Sequence, residues 1–192
     1  MPTDSVKNRT FRDAFHGTVR FEIPFFQRGY AWEKRQWDQL FLDIQEQLID
    51  ELDSGSQIQE VEHFFGPIVV LEKSGGPIEL KTFLVIDGQQ RLTTIYLLLA
   101  VIQSELKFRK HLSSDALQYI NTLNKYIVND VTGSDDYLKL KVFSSKGDRL
   151  PSYRVIFGVD ANPITPLLQT DLQLYVPGRN KVEEFQKYAA KN

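Results

Sequence analysis

The segment FLVIDGQQRLTT, residues 83–94, decides how this chain is interpreted. Its first four residues form a short apolar run that is typical of a buried strand, and a second apolar run, long enough for a helix, follows closely. Asp87-Gly88 lies between the two runs, and Asp-Gly is a pair that favours turns. The sequence therefore predicts a strand that leads through a tight corner into a helix.

The corner carries more polar groups than a turn needs: one acid, one glycine, two amides, one guanidinium and two hydroxyls within residues 87–94. A helix N-terminus has unpaired N–H groups and a partial positive charge, so it attracts anions. Gly88 would let the backbone approach a ligand, Arg91 would bind phosphate oxygens, and Asp87 would hold a metal or orient a water. The pattern predicts a phosphate site; the alternative is a plain strand-turn-helix corner with inward hydroxyls.

Two common phosphate motifs do not occur in the sequence. There is no G-x-x-x-x-G-K-[ST] run and no lysine in the turn, so the corner is not a Walker loop. There is no G-x-G-x-x-G run either, which argues against a dinucleotide site.

A second polar cluster, IPFFQRGYAW at residues 23–32, follows an alternating segment that indicates a strand. Aromatic side chains surround Gln27 and Arg28 in this cluster. Such a loop would bind the charged end of a flat ligand and stack its base on Tyr30 or Trp32. The alternative is that the aromatic rings fill the core and Arg28 stacks on one of them.

Together the two clusters resemble a known family. An I-P-x-F/Y-Q-R-x-Y-x-W motif, followed some tens of residues later by D-G-Q-Q-R-L-T-T, is similar to the N-terminal domain of GmrSD-type modification-dependent restriction proteins. That domain is related to the ParB and sulfiredoxin fold, and SspE-type phosphorothioation-sensing enzymes carry a similar one. The segment GPIVVL, residues 66–71, fits the strand between the motifs. The resemblance covers residues 10–105, and beyond them Asp148-Arg149 only faintly resembles a later family segment.

The resemblance implies that the chain binds and hydrolyses a nucleoside triphosphate, with a divalent metal that we expect to be Mg²⁺. In the family, this hydrolysis is coupled to restriction of DNA that carries modified bases or backbone. The implied partners are therefore the nucleotide, modified DNA and a nuclease domain or subunit.

We expect the phosphates to lie over the N-terminus of the helix that begins at Gln89. The expected catalytic residues are Asp87, Gln90 and Arg91, with Asp87 as the metal ligand. Gln89 or Gln90 would position the attacking water, as an amide does in other NTPases. The residues expected to bind the nucleotide or its phosphates are Gln27, Arg28, Gly88, Gln89, Arg91 and Thr93.

Two departures from the family pattern limit these implications. Phe26 stands where a tyrosine is common, so any role of that hydroxyl is missing here. Family members commonly continue into an HNH-type nuclease domain, but none of the three histidines, His16, His63 and His111, has a convincing HNH context. This argues against DNA cleavage by the chain itself.

Two other classes of function stay open. The chain could be a catalytically silent module that senses modified DNA through its aromatic loop, since ParB-like folds can bind nucleic acid. A ParB-like nuclease acting alone is the other, although the corner offers one acid, Asp87, and two-metal cleavage normally needs several carboxylates.

The composition limits the class of protein. The chain has 192 residues, 42% of them hydrophobic, no cysteine and a net charge of −2. It has enough apolar residues for a core, no disulfide framework, and too little net positive charge for tight DNA binding by phosphate neutralisation alone. The apolar run 95–102 is far shorter than the ~20 residues of a membrane helix, and no signal-peptide pattern opens the chain, so we expect a soluble, cytoplasmic protein.

The pattern as a whole predicts an α/β (α+β) fold: a small, mixed ParB/sulfiredoxin-like sheet with flanking helices. We expect residues 1–110 to form the ParB-like nucleotide-binding core and residues 111–192 a mainly helical extension. The predicted helices are a short one before residue 17 and longer ones over residues 33–52, 89–108, 113–128 and 181–191. The predicted strands are residues 18–23, 64–72, 79–86 and 137–143.

The helix over residues 33–52 has an apolar stripe at helical spacing, which predicts that one side faces the core. The stripe consists of Trp37, Leu40, Phe41, Ile44 and Leu48. The sequence leaves open which nucleotide and which DNA modification are recognised, and the oligomeric state.

Overall fold

The computed structural model describes residues 7–53, 64–73, 80–109, 111–131, 139–158, 161 and 181–191. In this part of the chain, helices flank a four-stranded sheet, which confirms the predicted α/β class. The helices are α1 Phe11–Phe15, α2 Lys34–Asp53, α3 Gln89–Phe108, α4 Ser114–Ile127, α5 Arg149–Phe157 and α6 Lys181–Ala189. The strands are β1 Val19–Glu22, β2 Val69–Glu72, β3 Lys81–Asp87 and β4 Val142–Phe143.

The sheet has the strand order β2-β3-β1-β4. β1 pairs in parallel with both β3 and β4, and β2 pairs antiparallel with β3. Because β1, β3 and β4 run in the same direction, their C-terminal ends lie at one edge of the sheet. We call this the carboxyl edge. The segments that leave it are the aromatic loop (residues 24–32), the corner (residues 87–91) and the β4 loop (residues 144–148).

Helix α3 lies at the centre of the molecule and packs against α4, α5 and α6. Tyr96 and Leu97, near its middle, are fully buried. The Tyr96 hydroxyl donates to the Ile127 carbonyl at 2.8 Å and accepts from the Lys141 N–H at 3.2 Å. These contacts connect α3 to the end of α4 and to β4, so the corner at the head of α3 is fixed in place.

Helix α1 is capped at both ends by side chains. The Thr10 hydroxyl accepts from the Asp13 N–H at 3.1 Å and donates to the Asp13 Oδ2 at 2.8 Å, and the second hydrogen bond lowers the pKa of the Asp13 carboxyl. At the other end, the buried Lys141 donates to the carbonyls of Phe15 and Gly17. Lys141 therefore joins the C-terminal end of α1 to β4.

Several predicted elements are shorter in the structure than in the prediction. The strand predicted over residues 64–72 forms only at Val69–Glu72, and of the described part of the strand predicted over residues 137–143 only Val142–Phe143 forms β4. Of helix α5 the sequence predicted only a start within residues 144–149, as the alternative to a polar loop. It contains Pro151 in its first turn, where a proline is tolerated because the missing N–H would be unpaired. The predicted break at residues 162–166 and the turn at residues 74–77 lie outside the described residues.

The apolar stripe of α2 faces the core along only part of its length. Trp37 and Leu40 are buried and Phe41 is half-buried, but Ile44 and Leu48 are exposed. The prediction that this side faces the core was wrong for Ile44 and Leu48, because among the described residues the rings that pack on the stripe contact only its first half.

The sheet draws its strands from both sides of residue 110, where we expected the core to end, since β4 pairs with β1. The carboxyl edge therefore contains residues from both predicted regions. No helix in the described ranges is long and apolar enough to cross a membrane.

Candidate functional site

The corner is built by a close approach of the protein to its own backbone. Gly88 has a φ of +84°, and a Cβ there would lie 2.9 Å from the Pro67 carbonyl oxygen and 3.0 Å from the Ile68 Cα. Only glycine fits such a position without strain. The space in which we expected a ligand to approach Gly88 is therefore occupied, on that side, by Pro67 and Ile68.

The two amides that follow Gly88 hold the aromatic loop against α3. The Gln90 Oε1 accepts from the Ala31 N–H at 2.8 Å, and its Nε2 donates to the Gly29 carbonyl at 3.0 Å. The Gln89 Nε2 donates to the Arg28 carbonyl at 3.1 Å. Both side chains are buried, and the Gln89 Oε1 is a buried acceptor that has no hydrogen-bond partner among the described residues. The two clusters found in the sequence are thus in direct contact.

A third amide makes the same kind of connection from the opposite side. The half-buried Gln27 donates from Nε2 to the Ile86 carbonyl at 3.0 Å, one residue before the end of β3. The amides of Gln27, Gln89 and Gln90 therefore donate to three backbone carbonyls, one near the end of β3 and two in the aromatic loop.

Tyr30 lies in the core. Its hydroxyl lies 2.7 Å from the Thr94 Oγ1 and accepts from the Trp37 indole N–H at 3.1 Å, and its ring packs against Phe185. Burial raises the pKa of Tyr30 to about 12. Trp32, the other residue expected to stack a base, is half-buried against the same core. These positions favour the alternative in which both rings contribute to packing.

The exposed aromatic residues of this loop are instead Phe25 and Phe26. Their side chains are 84% and 69% exposed, and their rings contact each other with centroids 5.5 Å apart. The two rings thus form a small apolar patch at the loop tip, and a contiguous exposed apolar patch is a feature of ligand-binding and partner-binding surfaces.

The structure adds a residue that the sequence analysis had not placed in the site. Asp148, in the β4 loop, is buried, and its Oδ2 accepts from the Tyr30 N–H at 2.7 Å and from the Ser145 hydroxyl at 2.6 Å. A Cβ on Gly29 would lie 3.2 Å from the same oxygen. Asp148 therefore joins the β4 loop to the aromatic loop. The faint similarity at Asp148-Arg149 was the only sequence signal for it.

The charged residues of the site differ in their exposure and in the hydrogen bonds that they make within the protein. Arg28 and Asp87 are exposed, although the Asp87 Oδ1 accepts from the Gly88 N–H at 2.7 Å. Arg91 is half-buried: its Nη2 donates to the Pro67 carbonyl at 2.7 Å, and its buried Nε has no hydrogen-bond partner in the described part of the chain. Thr93 is buried behind the corner.

The exposed carboxylate of Asp87 is compatible with Mg²⁺ but not with a zinc site. The described residues contain no group of three or more His, Cys, Asp or Glu side chains that could hold a metal. A lone carboxylate such as Asp87 does not make a zinc site. It is compatible with Mg²⁺, which commonly binds one or two carboxylates together with substrate phosphates.

The fold and site define a class: a mixed α/β domain in which three loops interlock at the carboxyl edge of parallel strands. Residues 9–162 match a family described as the GmrSD restriction endonuclease, N-terminal domain. The chain therefore belongs to this family, as the resemblance indicated, and is a domain of a restriction system. The match extends past Asp148-Arg149, beyond the region where the sequence resemblance was clear. A search of curated proteins found no match.

Proposed function

We propose that this chain binds and hydrolyses a nucleoside triphosphate for a restriction system that targets modified DNA, with a nuclease domain or subunit as its partner. The observation that supports this is how the polar residues of the two motifs are used. Gln27, Gln89 and Gln90 hold the loops together, whereas Arg28 and Asp87 stay exposed beside them. A cation and an acid held on interlocked loops, at the edge where parallel strands end, suit a phosphate with its metal.

The positive groups of the proposed site come from the fold and from side chains. The N-cap residue Gly88 gives the N-terminus of α3 no side-chain hydrogen bond, so the first N–H groups of the helix keep their partial positive charge. Arg28 adds a full charge from the aromatic loop. Arg91 adds a second charge from the first turn, and we infer that its bond to Pro67 orients it.

Of the two amides that could position the attacking water, Gln89 and Gln90, the hydrogen bonds favour Gln89. Both ends of Gln90 are engaged by the aromatic loop. The Gln89 Oε1 has no donor, and a buried acceptor of this kind normally receives one from a ligand or a water. We therefore assign the positioning of the attacking water to Gln89. A magnesium ion on Asp87 would neutralise charge on the phosphates.

The first test combines binding and turnover. We expect Mg²⁺ with a nucleoside triphosphate to raise the melting temperature of the chain, because a ligand that binds only the folded form stabilises it, and we expect release of inorganic phosphate. Asp87→Asn keeps an oxygen for the Gly88 N–H, so it should fold normally but lose phosphate release. Asp130→Asn, an exposed acid after α4, is the matched control. No stabilisation by any triphosphate would contradict the proposal.

A second candidate function rests on the exposed pair Phe25 and Phe26. A silent module that senses modified DNA would use such rings to stack on an altered base, next to the positive charge of Arg28. This candidate predicts binding to modified but not to plain DNA without any nucleotide. Binding should be lost in Phe25→Ala and retained in Phe108→Ala, which removes a ring that is 80% exposed at the far end of α3.

A further inference from the structure

The peptide group between Gly29 and Tyr30 is held at both of its ends. Its carbonyl, from Gly29, accepts from the Gln90 Nε2 at 3.0 Å, and its N–H, from Tyr30, donates to the Asp148 Oδ2 at 2.7 Å. Because a peptide group is planar, two hydrogen bonds at opposite ends fix its orientation. One of them comes from the first turn of α3 and the other from the β4 loop, so the aromatic loop lies between these two segments.

The neighbouring backbone groups of the aromatic loop are held from one side. The Arg28 carbonyl accepts from the Gln89 Nε2 at 3.1 Å, and the Ala31 N–H donates to the Gln90 Oε1 at 2.8 Å. Both amides belong to α3. Among the hydrogen bonds that described residues make to this backbone segment, the one to Asp148 therefore comes from outside α3.

The acceptor on the β4 loop is a buried carboxylate with little space around it. The Asp148 Oδ2 also accepts from the Ser145 hydroxyl at 2.6 Å, and a Cβ on Gly29 would lie 3.2 Å from the same oxygen. Hydrogen bonds to an ionised group are shorter and stronger than bonds between neutral groups. A carboxylate repels phosphate, so Asp148 is suited to hold the loop and not to contact a nucleotide.

Arg28 directly precedes the peptide group that Asp148 holds. Its side chain is exposed, and in the proposed site it binds the phosphates. A cation on a loosely held loop loses backbone freedom when it binds, and this loss lowers the affinity. A backbone that is already fixed avoids that cost, because the guanidinium starts close to its bound position.

We propose that Asp148 is a positioning residue of the nucleotide site, a role that rests on the proposed function. It holds the Gly29–Tyr30 peptide in one orientation, so that Arg28 meets the phosphates without rearrangement of the aromatic loop. The β4 loop is then the third part of the site, and it acts through Arg28 and not by contact with the ligand.

The test is a double-mutant cycle measured by calorimetric titration of the full chain with a nucleoside triphosphate and Mg²⁺. Asp148→Ala should weaken nucleotide binding at least about fivefold, because the loop must then be ordered on binding. In the Arg28→Ala background, the same change should weaken binding less than about twofold, since no guanidinium is left to position.

Two further variants separate positioning from stability. Asn129→Ala removes buried hydrogen bonds to the N–H and carbonyl of Val19, at 3.1 and 2.9 Å, at the end of β1 away from the aromatic loop. It should lower the melting temperature but leave nucleotide affinity unchanged. Asp148→Asn keeps an oxygen for the Tyr30 N–H and should bind more tightly than Asp148→Ala. It also replaces the alanine variant in the cycle if circular dichroism shows that the latter is unfolded.

Three results would overturn the positioning role while the proposed function stands. They are wild-type affinity in a folded Asp148→Ala variant, a loss that persists in full in the Arg28→Ala background, and an equal loss in Asn129→Ala. In each case the wild type still binds nucleotide and Arg28→Ala still weakens that binding. Failure of the wild type to bind any triphosphate would instead contradict the proposed function and the positioning role together.

Discussion

The hydroxyl of Tyr30 connects the aromatic loop to two helices. It bonds to Thr94 on α3 and accepts from Trp37 on α2, and the Thr94 hydroxyl in turn donates to the Gln90 carbonyl. Since that donation uses the only hydroxyl proton of Thr94, Tyr30 donates to Thr94. The loop is thus held to both helices by one side-chain oxygen.

We predict that Tyr30→Phe lowers the free energy of unfolding by about 1–3 kcal/mol, because the buried indole N–H of Trp37 loses its acceptor. Chemical denaturation measures the change. Tyr119→Phe is the matched control, since the side chain of Tyr119 is 67% exposed, and it should have no effect. Equal stability of the two variants would mean that the hydroxyl of Tyr30 contributes nothing.

The buried Lys141 should make the stability of the protein depend on pH. Burial lowers its pKa to about 8, from an ordinary 10.5. Between these values the unfolded chain keeps a proton that the folded chain has lost, so the contribution of Lys141 to stability rises with pH from 8 to 10.5. Lys141→Met should therefore be more destabilising, relative to wild type, at pH 9.5 than at pH 7, as measured by urea unfolding at both values. For the exposed Lys125→Met no such trend is expected.

The sequence did not show whether the amide side chains of the site bind a ligand or the protein backbone. The sequence identified Gln27, Gln89 and Gln90 as polar side chains at loops, and the structure places all three at the site. An amide bonds equally well to a ligand or to a backbone carbonyl, so residue type alone does not distinguish the two roles. Only the positions of the neighbouring loops assign these amides to the fold.

Among the elements, the corner between β3 and α3 has the strictest geometric requirement. We predict that Gly88→Ala lowers the free energy of unfolding by at least about 2 kcal/mol, since it combines left-handed backbone strain with a clash against Pro67 and Ile68. Denaturation of the variant and of Gly147→Ala measures this. A Cβ on Gly147 meets no atom within 4 Å, so that change should be mild. Similar losses in both variants would contradict the close approach.

Long elements with a clear apolar pattern were predicted more accurately than short or uniformly buried ones. Helix α3 was predicted with its observed bounds because its long apolar run requires burial on most sides. β4 was predicted as the end of the alternating segment 137–143, but of its described residues only Val142 and Phe143 form the strand. Helix α5 has little difference between its faces, since Leu150, Pro151, Ser152 and Tyr153 are all buried, so helical periodicity gives no signal there.

At the scale of the whole molecule, α6 packs against the residues that hold the aromatic loop in place. Phe185 is fully buried between Tyr30 and Trp37. We predict that Phe185→Ala costs about 3–5 kcal/mol of stability, as expected for a large cavity, and speeds hydrogen exchange in the aromatic loop. Phe108→Ala, at an exposed ring, should do neither. If the loop amides exchanged at unchanged rates, α6 would not support the loop.

The assembly of the site depends on contacts that are far apart in sequence. Asp148 binds the Tyr30 N–H across 118 residues, and Gln90 binds the Ala31 N–H across 59. The family resemblance implied that both motifs bind one nucleotide, but it did not imply the hydrogen bonds between them. The third loop depends on β4 pairing with β1, and a predicted strand does not show which other strand it pairs with.

The measurement that tests the central claim most directly is calorimetric titration of the chain with a nucleoside triphosphate and Mg²⁺. Arg28 is exposed on a loop that other residues hold in place, so Arg28→Ala should leave the fold intact. We predict that it weakens binding about 10–100-fold, the value of a charge-assisted hydrogen bond. Arg109→Ala, an exposed arginine just past the far end of α3, should bind like wild type. Unchanged affinity in Arg28→Ala, or no binding by the wild type, would contradict a phosphate site at the carboxyl edge.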